Sequence, residues 1–262
     1  MDKLKAVLAV YMAFIVLLMY ITIIMIGIFS FKSGAGISFP IEGWSLSWFK
    51  ELFEDEAIMK SLVNSIIVSI VVTLITTPMC IALAIGLRKG GKAANIVFYV
   101  IMLGIIVPGL IYGLGALMFY RIIGVDLSLW TCVPVLVIWT IPWGVILILA
   151  RIDPQLISYE EAAKVLGASS LKVFREVTLP LISPQVMAAA LFAFILAWME
   201  LIRSAFVIGG HPTLPIWIYN TLTVYPPTPK FYALGFIITV VVIIMLTAAG
   251  ILMTRGRGKP LF

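Results

Sequence analysis

Glu200 and Arg203 are the ionisable residues that fall inside a long apolar run of this chain, and their three-residue spacing puts them on one face of a helix. An ionisable group in hydrocarbon is costly. Such a pair therefore marks a solute path or neutralises itself, and both readings stand at this point. Trp198, Tyr112 and Tyr219 offer flat faces for an organic solute, although aromatic residues also gather in belts at membrane interfaces. His211, the single histidine, sits beside Pro212 with no second imidazole to help hold a metal. Cys80 and Cys132 lie in apolar runs and read as buried, inert thiols. The chain has no HExxH, no GxSxG and no acidic pair on neighbouring spans, so no catalytic residue and no metal site are assigned. It also lacks a GxxxxGK[ST] phosphate loop, which means that any ATP-driven work must be done by another polypeptide.

The elements that carry these residues follow from composition. Of 262 residues, 63% are hydrophobic and 11% charged, and mean hydropathy is +1.17, whereas a soluble domain carries about 25% charged residues. Apolar runs of roughly 20 residues, the length a helix needs to cross a bilayer, recur near 6–29, 62–87, 96–119, 129–150, 186–208 and 231–253. The expected fold is all-α: a polytopic membrane bundle of about six helices forming one transmembrane domain over residues 1–262. The first run, Ala6 to Phe29, is too long and bulky for a signal peptide and should remain as an anchor.

Orientation follows from the retention of positive charge in the cytoplasm. One side of the bundle collects Lys3, Lys5, Arg88, Lys89, Lys92, Arg151, Lys164, Lys172, Arg175, Arg255, Arg257 and Lys259. The other has Lys32, Lys50, Lys60, Arg121 and Lys230, mixed with Glu42, Glu51, Glu54, Asp55, Glu56 and Asp126. Both termini are thus expected in the cytoplasm. The net charge of +6 is then a matter of topology, with anionic lipid headgroups rather than nucleic acid as the partner. Trp44, Trp48, Phe49, Leu52 and Phe53 suggest an amphipathic interfacial helix on the outer side. Pro78, Pro108, Pro134 and Pro142 interrupt spans, as happens around transport pathways and in membrane helices generally.

The one long cytoplasmic segment, about 151–184, is patterned as two short helices. Gln155 to Leu166 places Leu156, Tyr159, Ala163 and Leu166 on one face, with Glu160 and Lys164 spaced for an i,i+4 ion pair. Gly167 suits a left-handed C-cap, Ser169 or Ser170 can cap the next helix, and that helix should run to about Val177 and stop before Pro180.

Glu161-Ala162-Ala163, three residues, Gly167, nine residues, Val177 and then Leu179-Pro180 closely resemble the EAA loop of ATP-binding-cassette (ABC) importer permeases. The resemblance implies that this loop couples to an ATPase through Glu160, Glu161, Ala162, Ala163 and Gly167, with Leu179 and Pro180 setting the return to the membrane. It also implies two ABC ATPase subunits using ATP and Mg, a second permease subunit that is homologous or identical, and an extracytoplasmic solute-binding protein. The location implied is the inner or plasma membrane. Gly43 to Phe49 with Leu52-Phe53, Asn64-Ser65, and Thr213-Leu214-Pro215 to Tyr219 resemble spermidine/putrescine-type permeases. The solute expected is therefore polyamine-type, with a sugar, an opine-like acid or a phosphonate as alternatives. Permeases of that type tend to carry two adjacent acids where this chain has Met199-Glu200 and adds Arg203, which also fits a neutral, zwitterionic or acidic solute. An intramembrane enzyme or a stand-alone channel is the reading from another class.

Overall fold

The structure, a computed structural model, describes residues 2–34, 36 and 40–255. Twelve helices follow one another among them: α1 Asp2–Ser30, α2 Ser47–Glu54, α3 Glu56–Leu87, α4 Lys92–Ile106, α5 Gly109–Ile122, α6 Cys132–Leu149, α7 Pro154–Val165, α8 Ser170–Val173, α9 Leu179–Met199, α10 Ile202–Ala205, α11 Leu214–Val224 and α12 Pro229–Arg255. No named strand forms among the described residues; an isolated antiparallel bridge joins Lys32 to Trp44. Arg257 and Lys259, counted above toward the positive side, lie outside the described residues, as do the side chains of Lys3 and Arg255.

Four stretches are long and apolar enough to span a membrane: Leu4–Ser30, Glu56–Leu87, Leu129–Leu149 and Ser170–Met199. The pair α4 and α5 qualifies together as one broken span, and α12, at 27 residues, has a length of about 40 Å at about 1.5 Å per residue. The third expected run is therefore not one straight helix: α4 and α5 meet at 104°. Proline disfavours helical backbone in the residue before it, and Val107 is accordingly extended at φ −66°, ψ 123°. Pro78 and Pro142, by contrast, stay inside α3 and α6. The fifth run also differs. Its helix starts at Leu179 rather than near 186 and ends at Met199 rather than 208.

The chain divides into two compact units, residues 1–59 with 220–262, and residues 60–219. In the first, α12 packs along α1 and against α2. Phe31 bridges Phe49 and Phe236 with ring centroids 5.0 and 5.3 Å apart, and the Trp48 indole donates to the Lys32 carbonyl at 2.8 Å. Phe49 and Leu52 thus turn toward protein while Trp44, Leu46 and Phe53 stay exposed, so only part of the interfacial helix expected there is free to meet lipid. Asp55 caps α3 by accepting from the Ala57 and Ile58 amides and pairs with Lys230. Burial pushes its carboxyl up, but Lys230 and those amides outweigh burial and hold it below the usual carboxylate range.

In the second unit α6 is the central element, packed along α9 and α4. Gly144 lets α3 approach α6 as well, because a Cβ there would lie 2.5 Å from the Cys80 sulfur of α3. Thr76 and Thr140 share a 2.8 Å hydrogen bond across the same contact. One end of the unit is tied by Asn64 Nδ2 donating to the Pro212 carbonyl at 3.1 Å, the Leu214 amide donating to Ser65 Oγ at 2.7 Å, and Thr131 Oγ1 donating to the Val207 carbonyl. Asn64 and Ser65 thereby hold the loop that bears the exposed His211.

Candidate functional site

At the opposite end of this unit the loop after α6 folds by local rules. Asp153 Oδ1 accepts from the Leu156 amide at 2.8 Å, Pro154 opens α7, and Arg151 pairs with Asp153 at 2.7 Å. Gly167 has φ +86° and donates its amide to Lys164, while Ala168 donates to Ala163. That pair of bonds is a Schellman cap, which needs a left-handed residue at Gly167. Ser169 caps α8 with a longer 3.4 Å bond to the Lys172 amide.

α7 is held down by two side chains, Leu156 at 2% exposure and Glu160 at 3%. Glu160 does not pair with Lys164. Its Oε1 accepts from Arg88 Nη1 at 2.7 Å and from Thr178 Oγ1, so one carboxylate ties α7 to the end of α3 and to the turn leading into α9. Burial pushes the Glu160 carboxyl up, but Arg88 and Thr178 outweigh it and hold the group below the ordinary range. The second helix does not stop before Pro180: Phe174–Thr178 form a π-helical turn that runs directly into α9. Pro180 sits in the first turn of α9, where a missing N–H is tolerated. Glu161, Ala162 and Gly167 face outward, Ala163 and Leu179 are half-buried, Pro180 is exposed, and Val165 and Leu166 are each 87% exposed. Of the face expected to pack, Leu156 does so, whereas Tyr159 and Leu166 lie outside.

The second cluster lies where α9 breaks. Glu200 leaves the helix at φ −74°, ψ 118°, accepts from the Arg203 amide at 2.8 Å through Oε1, and accepts from Arg203 Nη1 at 3.0 Å through Oε2. The pair forms as its spacing suggests, but across a break rather than along one face of a continuous helix. The Arg203 guanidinium lies 3.7 Å over the Trp139 ring, and the residue is 9% exposed. Two glycines of α5 make room. A Cβ on Gly109 would stand 2.9 Å from Arg203 Nη1, and one on Gly113 would stand 2.7 Å from Phe206 Cδ2. Trp139 and Trp143 meet edge to face at 6.0 Å, each with a buried indole N–H that has no hydrogen-bond partner among the described residues. Tyr112 packs against the core on the same helix as those glycines. Trp198 instead stacks on Phe194, and Tyr219 is exposed on α11 and makes no hydrogen bond to the pair among the described residues. Trp139, Gly109 and Gly113 escaped the sequence reading because an apolar helix gives no sign of which aromatic or glycine meets a charge.

The model of the family described as binding-protein-dependent transport system inner membrane component matches residues 76–257. The chain belongs to this family. Its matched region holds both clusters, and the family makes it the permease component of an ABC importer, a transport subunit and not an enzyme. Among curated relatives it is similar to the spermidine/putrescine transport system permease protein PotC of Escherichia coli (strain K12), with 26% identity covering 95% of this chain and 94% of the relative. It is also similar to the putrescine transport system permease protein PotI of the same organism, with 28% identity covering 91% and 88%. Among solved structures, a chain of a bacterial ABC transporter involved in import of the acidic polysaccharide alginate superposes with a TM-score of 0.70 at 19% identity, covering 97% of this permease and 96% of that chain. A chain of the MetNI methionine ABC transporter gives 0.56 at 19% identity, covering 82% and 100%. These two establish the fold.

Within this permease the Arg88–Glu160–Thr178 link carries a direct prediction. Glu160→Ala leaves a guanidinium with 17% side-chain exposure unpaired, a loss of about 2–3 kcal/mol. Hydrogen exchange of the α7 amides at neutral pH should accelerate by at least about tenfold. In the wild type the folded-state pKa is depressed, so the link is intact above the unfolded carboxylate pKa and is lost as pH falls through the folded value. Exchange rates corrected for intrinsic pH should therefore rise in acid in the wild type and stay flat in the variant. Equal, pH-independent protection in both proteins would show that the link does not hold α7.

Proposed function

We propose that this permease carries a small organic solute inward, polyamine-type by its relatives, through alternating access driven by a separate ATPase. A second permease, identical or paralogous, completes the path, two ATPase subunits hydrolyse ATP with Mg beneath the membrane, and an extracytoplasmic binding protein delivers the solute. Both termini lie in the cytoplasm in this reading, because the loops beside them carry most of the Lys and Arg.

The observation that carries the reading is the asymmetry of α7. Leu156 and Glu160 fasten it to the membrane helices, while Glu161, Ala162, Val165, Leu166 and Gly167 point away. An apolar tip of that kind suits a protein groove, and the Glu160 link gives motion there a rigid route into α3 and α9. Glu161, Ala162, Ala163 and Gly167 are the residues assigned to the ATPase contact. Glu160 acts behind them as a positioning residue, and Leu179 with Pro180 sets the start of α9.

A second reading concerns the solute. Arg203 and the unpartnered Trp139 and Trp143 N–H groups are all donors, with Glu200 as the opposing acceptor. Such a set favours a zwitterionic or acidic solute over a polycation. Calorimetry on the binding protein isolated with this permease separates the two. Binding of spermidine or putrescine supports the polyamine reading; binding of an amino-acid-like, opine-like or phosphonate acid supports the second. Purification of the permease free of any ATPase or second permease would remove the importer assembly itself.

A further inference from the structure

A cavity of about 350 Å³ opens where α3, α7 and α8 meet, lined by Ile85, Arg88, Lys89, Glu160, Lys164, Ser170, Val173, Phe174 and Thr178. Three cations face one carboxylate there. That carboxylate is already engaged by Arg88 and Thr178, and neither Lys89 nor Lys164 forms an ion pair with an acid among the described residues. The cavity thus keeps two ammonium groups without a direct ion pair, Lys164 acting on Glu160 only at longer range, and the Ser170 hydroxyl. Its other walls, Ile85, Val173 and Phe174, are apolar and belong to helices that continue into membrane spans. A polar pocket with a greasy wall at the end of two spans lies at the level of lipid headgroups.

The geometry points to a phosphate-binding site in this cavity, with Lys89, Lys164 and Ser170 holding the phosphoryl oxygens and Arg88 shared between the phosphate and Glu160. A phosphate group fits because it offers several acceptor oxygens around one negative charge, which mobile ammonium groups satisfy from different directions. A carboxylate offers fewer, and Glu160 already fills that role. The phosphate comes from an anionic phospholipid or from a free phosphate compound, and the chemistry of the pocket is the same for both. Because α7 forms one wall, an occupied site bridges the loop helix to α3 independently of Glu160. The inference rests on the cavity alone and holds whichever solute is carried.

The test uses the purified permease together with its co-purifying subunits. Native mass spectrometry counts phosphatidylglycerol retained after exchange into phosphatidylcholine nanodiscs doped with phosphatidylglycerol, and equilibrium dialysis follows radiolabelled inorganic phosphate. The variant K89Q/K164Q removes the two cations that make no direct ion pair and keeps the Arg88–Glu160–Thr178 link. K92Q/K172Q removes two charges from the same end but outside the cavity. Retention should fall by roughly tenfold or more in K89Q/K164Q and little in K92Q/K172Q. If lipid retention falls and inorganic phosphate neither binds nor competes, the source is a lipid headgroup; if inorganic phosphate binds and displaces the lipid, the source is a free phosphate compound. Unchanged retention and unchanged phosphate binding in K89Q/K164Q, or an equal loss in K92Q/K172Q, overturns the site.

Discussion

Arg203→Leu should destabilise this permease by about 3–5 kcal/mol, because it strands the Glu200 carboxylate in an enclosed setting. The two side chains are only 10% and 9% exposed, and Arg203 supplies both contacts that Glu200 makes, one through its guanidinium and one through its own amide. The amide bond survives the substitution, but the charge does not remain neutralised. Arg203 also covers Trp139 and fills the space left by Gly109, so the leucine variant loses packing as well. Removing both charges together, as in Glu200→Gln with Arg203→Met, should recover much of the loss, since a buried pair replaced by matched neutral groups is often close to neutral. Thermal inactivation in detergent, compared across Glu200→Gln, Arg203→Met and the double variant, reads the coupling directly. Additive losses, with no recovery in the double variant, would show that the pair does not neutralise itself and would leave solute contact as the reason for both charges.

Gly167→Pro should separate ATP hydrolysis from solute movement. Proline is locked near φ −65°, whereas Gly167 sits at +86° and donates its amide to Lys164; the substitution removes the bond and the backbone state together. The Schellman cap that turns α7 toward α8 is then lost, and with it the placement of Val165 and Leu166 at the tip. The membrane helices are not involved, so insertion and basal hydrolysis by the partner should persist while solute carried per ATP drops by about tenfold or more, the penalty of misplacing a coupling element by roughly an ångström or more. Gly167→Ala, which costs about 1–2 kcal/mol in the left-handed region, should show a smaller fall. Counting solute accumulated and phosphate released in the same proteoliposomes measures the ratio, and a wild-type ratio in the proline variant would remove α7 from the coupling route.

Much of this architecture was legible because the bilayer imposes a simple rule. Apolar runs of span length must be helices, and those of α1, α3 and α6 appear close to where the sequence placed them. The loop was legible for a second reason: Gly167 and Ser169 act on their own neighbours, so the turn and the following cap can be read within a few residues. Glu200 and Arg203 found each other for the same reason, being three residues apart.

Other features depend on partners far away in the chain. Glu160 had Lys164 at helical spacing, yet it pairs with Arg88, 72 residues earlier, because burial of α7 against α3 brings a guanidinium to it and leaves Lys164 in the cavity mouth. Four prolines looked alike in sequence. The chain breaks at Pro108, where Val107 is extended and Gly109 leaves room for Arg203, and α3 and α6 stay continuous around Pro78 and Pro142. The π-helical turn at Phe174–Thr178, which carries α8 into α9, places Thr178 on Glu160, a register set by that contact rather than by any local preference. A helical membrane bundle with a capped loop between its fourth and fifth spans was readable from local quantities, hydrophobic length and capping chemistry, and the permease role came from the resemblance of that loop to a known family. Which charge meets which, and where a span bends, depended on helix packing, because in a uniformly apolar chain those choices are made by the few residues that happen to face one another.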